Sequence, residues 1–156
     1  MNETPLFSPA RVAVDVHARS IKHLLDLAAG LLTGDAPHLS AETAFDALLA
    51  RERLGSTAIG GGVAVPHGRL ALVRSPCAAV LQLAEPVDMD APDGLGVDLV
   101  VAVLVPEQCG TSDIAVLSGL VQSLADAKFC ATLRQASGAR ALYDLLADHW
   151  RGDAAA

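Results

Sequence analysis

Residues 98–105 read DLVVAVLV, one aspartate followed by seven apolar side chains. A strand with one face in water alternates apolar with polar residues. This one does not, so it predicts a central strand buried on both faces. The run is far too short to cross a bilayer. Upstream, residues 79–84 (AVLQLA) form a second strand. The segment between them, EPVDMDAPDGLG at 85–96, is polar and rich in turn formers, so it is a hairpin or an excursion over one end of the sheet. Val63–Val65 is a short strand that runs into Pro66, and VAVDV at 12–16 alternates as a strand should.

Helical spacing accounts for most of the rest. From Ser20, the residues Ile21, Leu24, Leu25, Ala28, Leu31 and Leu32 share a face until Gly34 offers a stop. Ser40 can cap a second helix lined by Phe45, Leu48 and Leu49, with Glu42 near its positive end. Beyond Pro106, Thr111 or Ser112 can cap a helix with Ile114, Leu117, Leu120, Val121 and Leu124 on one side. A shorter helix is predicted around 127–135, and a last one from Ser137 to about His149 buries Leu142, Leu145 and Leu146. No repeat or linker divides the chain, so strands and helices over one core predict a layered α/β domain over residues 1–150. RGDAAA, residues 151–156, is then a flexible C-terminal tail.

Composition narrows the function classes. Hydrophobic residues are 52% of the 156 but aromatics only 3%, so Val, Leu, Ile and Ala must build the core. Eleven basic residues against eighteen acidic give a net charge of −7, which argues against nucleic acid as the main partner. MNETPLFSPARV has no apolar segment behind a basic start, so neither a signal peptide nor direct membrane insertion is expected. Cys77, Cys109 and Cys130 are odd in number and widely spaced, which suggests neither disulfides nor a zinc site. A reduced, soluble, cytoplasmic protein is the simplest expectation. His17, His23, His38 and His149 show no HxH or HExxH spacing, so a metal-dependent hydrolase has little support and no cofactor is expected.

The chemistry concentrates in GSTAIGGGVAVPHGRL, residues 55–70. Pro66 fixes its own φ, holds Val65 extended and ends the strand's hydrogen bonding, while Gly68 permits an unusual backbone. His67 is therefore expected at a strand end, rigid and accessible. Gly60, Gly61 and Gly62 can turn amides toward an anion, and Arg51, Arg53 and Arg69 can supply positive charge. A neutral imidazole beside amides and a guanidinium suits phosphoryl transfer. The bland alternative is a glycine turn with a surface histidine, and composition by itself favours it.

From Glu52 through RLGSTAIGGGVAVPHG, the spacing of the acidic residue, Ile59-Gly60 and Val63-Ala64-Val65-Pro66-His67-Gly68 resembles the signature of type-2 enzyme IIA domains of the bacterial phosphotransferase system. The LARERLGST opening is most similar to the stand-alone nitrogen-regulatory branch, and the likeness extends over roughly residues 10–150. The resemblance implies a three-layer domain with a central mixed β-sheet and helices on both faces. It implies that His67 accepts a phosphoryl group through Nε2 from a histidine phosphocarrier protein, and that Arg51 neutralises the added charge. Gly60, Gly61, Gly62, Ser56 and Thr57 become candidate phosphoryl ligands, and Pro66, Gly68 and Arg69 a docking rim. A sensor kinase or an ion transporter is a conceivable regulated target, and the aliphatic helices leave a weak homodimer open.

One position departs from that pattern. The family carries a second histidine near the start of the helix after the last long strand, and here that place falls on Asp113. An aspartate there favours the first helical turn; it could also orient the imidazole through Nδ1, or repel a phosphoryl dianion. The departure motivates a second expectation, a binding module that keeps the fold and regulates partners without phosphotransfer.

Overall fold

The computed structural model describes residues 5–155, with side chains through Trp150. After a 3-10 turn at Pro9–Arg11 come β1 (Val12–Val16), α1 (Ile21–Gly34), α2 (Ala41–Leu54), β2 (Ala58–Gly60), β3 (Val63–Ala64) and β4 (His67–Leu70). They are followed by β5 (Cys77–Val87), β6 (Val97–Pro106), α3 (Thr111–Leu124), α4 (Ala127–Arg134) and α5 (Ala139–Ala155). The apolar run does occupy the middle of the sheet. β6 pairs antiparallel with β5, which pairs parallel with the edge strand β1. Along its other side β6 pairs parallel with β3 and then with β4, and β2 closes that edge antiparallel to β3.

Alternation along β6 divides two cores. Val100, Ala102 and Leu104 pack with Leu24, Leu25, Leu32 and Leu48 of α1 and α2. Leu99, Val101, Val103 and Val105 pack with Leu120, Leu124, Leu133, Leu142 and Leu146 of α3, α4 and α5. The sheet is mixed, helices cover both faces, and the domain has three layers. With so few aromatics, these leucines carry the burial; truncating one that is wholly enclosed, such as Leu48, costs about 2–5 kcal/mol in general.

A buried cation ties the start of the chain to this frame. The Arg11 guanidinium is almost fully enclosed, and it donates through Nη1 to the Asp35 carboxylate at 2.9 Å and through Nε to the Ala78 carbonyl at 3.1 Å. Its Nη2 donates to the Pro5 and Leu6 carbonyls. A charge that has left water is tolerable only with such full pairing.

Local expectations fare unevenly, for physical reasons. Ser20 and Ser40 cap α1 and α2 by accepting from the His23 and Thr43 amides. Gly110 rather than Thr111 or Ser112 precedes α3, because the Asp113 carboxylate reaches back to the Gly110 amide. Ile114 is 51% exposed although it was expected on the buried side of α3. Helical period says which side faces inward, not how far the helix overlaps the sheet. α5 continues to Ala155, past the expected end near His149 and through most of the segment expected to be a loose tail. Burial, the larger cause in each case, pushes the Cys77 and Cys130 thiols up, and Cys130 donates to the Leu124 carbonyl; both behave as core fillers.

Candidate functional site

β2, which the glycine-rich sequence concealed, pairs with β3 through Ala58–Ala64 and Gly60–Val63, and the Val65 amide extends the pairing to the Thr57 carbonyl. Gly60, Gly61 and Gly62 form the tip of this hairpin, with φ of 95°, 66° and 78°. β4 is a second surprise. Pro66 lacks a donor, yet its carbonyl still accepts from the Val103 amide at 2.8 Å, so the chain stays on the edge of β6 and begins pairing again at His67. The strand's bonding is interrupted at the proline, not ended there.

His67 is half-buried at the start of β4. Its Nδ1 lies 2.9 Å from the Val65 carbonyl oxygen. A carbonyl only accepts, so in the neutral ring Nδ1 carries the proton and Nε2 keeps its lone pair. Side chains two apart in a strand share a face, and His67 and Arg69 sit opposite Val103 and Val105, which belong to the core under α3. Gly68 faces the other way. A Cβ there would stand 3.0 Å from the Ala47 Cβ and 3.1 Å from its backbone, so the glycine lets β4 lie against α2.

An open cleft of about 400 Å³ lies in front of the imidazole. Arg51 and Ser56 to Ile59 line it together with Val65, and α3 adds Leu117, Ser118 and Val121. The end of α2 is clamped beside this cleft. Arg51 Nη1 donates to the Gly55 carbonyl at 2.9 Å, and the Glu52 carboxylate accepts from both the Thr57 amide and the Thr57 hydroxyl. Ser56 Oγ donates to the Met89 carbonyl and accepts from the Ala58 amide, which fastens the 88–96 excursion beside the site.

Several candidates therefore change role. The glycine tip is at the far end of the hairpin from His67 and does not line its cleft; the Gly61 amide donates to Asp93 at 2.8 Å, and the Gly61 carbonyl accepts from Arg134. Three left-handed residues make the turn there, which explains the glycines without an anion. Ser56 and Thr57 do line the cleft, but their hydroxyl protons are committed to Met89 and Glu52. Pro66 and Gly68 are buried, so of the expected rim only Arg69 is exposed. Asp113 accepts from the Gly110 amide at 2.9 Å, and the Nδ1 partner it was a candidate to be is the Val65 carbonyl instead. Among the described residues no three His, Cys, Asp or Glu side chains gather as a metal site would require.

Residues 5–149 match the model of a family described as phosphoenolpyruvate-dependent sugar phosphotransferase system, EIIA 2. The chain belongs to this family. Within it, the Nitrogen regulatory protein of Pseudomonas aeruginosa is 41% identical over 147 residues, covering 94% of this chain and 96% of that protein. The Nitrogen regulatory protein of Escherichia coli K12 is 37% identical over 134 residues, covering 85% and 82% respectively. The crystal structure of Nitrogen Regulatory Protein IIA-Ntr from Neisseria meningitidis superposes with a TM-score of 0.82 at 36% identity, over 90% of this chain and 96% of that one.

As an EIIA 2 domain the chain presents two features that its sequence reading missed. Ser118, a small polar residue on a largely apolar helix, carries no motif of its own; its neighbours Leu117 and Val121, which line the same cleft, are the available signal. The Val65 carbonyl was invisible because backbone atoms carry no sequence signature. Among the described residues no single helix is long and apolar enough to cross a membrane.

Proposed function

We propose that the chain is a phosphoryl-relay and regulatory protein of the nitrogen-regulatory kind, acting in the cytoplasm, which takes a phosphoryl group on His67 from a histidine phosphocarrier protein and signals through its phosphorylation state. The observation that carries this reading is the Val65 carbonyl on Nδ1, which leaves Nε2 unprotonated at an open cleft lined by Arg51. The Nε2 lone pair attacks phosphorus as the donor's nitrogen–phosphorus bond breaks and its electrons return to the donor imidazole. No proton need leave His67, because Nε2 carries none. Positioning and charge stabilisation supply the catalysis, as phosphoryl transfer requires. Arg51, with one of its guanidinium nitrogens on Gly55, retains others to meet the charge.

Arg69, exposed on the face of β4 that bears His67, contributes to a docking rim for the carrier. One neighbour of the same fold, with a TM-score of 0.72, is a complex of enzyme IIAMtl with phosphorylated enzyme IIBMtl from Escherichia coli. Two charge states on one surface favour different partners, a sensor kinase or an ion transporter being the kind of target expected. The test is incubation with phosphoenolpyruvate and the general phosphotransferase proteins. Acid-labile phosphate on the wild type and none on His67→Ala is the expected result. An unlabelled wild type whose partner binding is indifferent to His67→Ala would establish the non-catalytic binding module instead.

A further inference from the structure

We infer that Ser118 is a phosphoryl ligand of this site: its hydroxyl, with the Arg51 guanidinium, receives the group carried on Nε2 of His67. The inference rests on the reading of His67 as the acceptor and assigns the α3 side of the cleft, which that reading leaves open. A phosphoryl group offers only acceptor oxygens, so it must be met by donors whose protons are not already spent. Thr57 gives its hydroxyl and amide protons to Glu52, and Ser56 gives its hydroxyl proton to Met89. The Gly61 amide is held by Asp93 at the other end of the hairpin.

Ser118 differs from all of these. It lines the same cleft as His67 and Arg51 but comes from α3, it is exposed, and its side chain takes no hydrogen bond or ion pair in the resting protein. Leu117 and Val121 flank it and are half-buried, so the hydroxyl is the one polar group that α3 brings to the cleft. The cleft, at about 400 Å³, is roomy enough for a phosphoryl group. Asp113, one turn and more toward the start of α3, has its carboxylate on Gly110 and brings only acceptors. A hydroxyl is also neutral throughout the physiological range.

The experiment has two arms. Phosphoramidate phosphorylates the full chain without any carrier, and phosphorus NMR follows the phosphohistidine as it hydrolyses. In the second arm the general phosphotransferase proteins and phosphoenolpyruvate supply the group, and the transfer rate is measured. Ser118→Ala should shorten the half-life and slow the transfer by about tenfold, the ordinary worth of a hydrogen bond to a charged group. Ser118→Thr, which restores a hydroxyl, should recover most of both. Equal values for wild type and Ser118→Ala would overturn the inference, as would equal impairment in Ala and Thr variants, which marks a packing effect. A wild type that phosphoramidate modifies at His67 but the carrier does not would refute the relay reading while the half-lives still decide Ser118. No modification of His67 by either route would overturn both.

Discussion

The β2–β3 hairpin has two ends made from one stretch of sequence, and they are opposites in how their polar groups are employed. At the tip, the Gly61 amide is on Asp93, the Gly61 carbonyl is on Arg134, and the Gly62 carbonyl accepts from the Asp98 and Leu99 amides. Arg134 closes the arrangement with a 2.8 Å ion pair to Asp98. At the open end, the Val65 carbonyl holds Nδ1 of His67, and the ring lines a cleft with Arg51 and Ser118. Glycine abundance pointed to the tip. The unspent groups are at the other end. A candidate site is better identified by donors and lone pairs left without work than by a composition that resembles a phosphate loop.

The comparison can be broken most sharply by substituting one residue at each end. His67→Ala should abolish phosphate incorporation while changing thermal stability by no more than about 1 kcal/mol, because the ring is only half-buried. Gly62→Ala should do the reverse. Its φ is +78°, and a Cβ would lie 2.8 Å from Arg134 Nη2 and 3.0 Å from Asp98 Oδ1. Strain and displacement of the ion pair together should lower stability by about 1–3 kcal/mol in a denaturant titration. Labelling per folded molecule should stay unchanged. If Gly62→Ala stopped labelling in folded protein, the tip would be part of the site after all.

A smaller effect sharpens the account of Asp113. Removing its carboxylate in Asp113→Ala frees the Gly110 amide and should cost about 0.5–1 kcal/mol by the same titration. If the carboxylate serves only the helix, the pH profile of His67 labelling will match the wild type. A shifted profile would bring Asp113 back to the imidazole.

The smallest expected effect concerns acid. The Gly61 amide first, and the Leu95 amide second, hold the Asp93 carboxyl below the ordinary aspartate range. The unfolded chain therefore takes up this proton at a higher pH than the folded one. The stabilisation is complete above the ordinary aspartate range and disappears as pH falls through the folded value. Asp93 is fully exposed, so solvent screening keeps the effect small. The Gly61 amide resonance should follow this titration, with a midpoint below that of an unstructured aspartate, while resonances of the His67 end do not.

Much of the framework could be read before any coordinates. β1, α1 and the cap at Ser40 fell where periodicity and capping chemistry put them, because those signals are local. β2 and β4 escaped, being three and four residues long and bounded by glycines or a proline. Such strands have no periodicity to display; they exist because β6 offers a free edge for β3 and β4, and β3 in turn for β2. The site divides in the same way. Of the proposed site residues, His67 and Arg51 stand in or beside the motif itself, whereas Ser118 arrives from a helix some fifty residues later in the chain.

By itself the sequence determined the apolar run that must lie at the centre of a sheet, the helices that could cover it, and a histidine held next to a proline. These follow from periodicity and side-chain chemistry, which act over a few residues. Only the tertiary structure decided which nitrogen of that histidine is bonded to the backbone, that the glycines lie away from it, and which hydroxyl from α3 lines its cleft. Those depend on which hydrogen bonds are already satisfied, and that is settled only when distant segments meet.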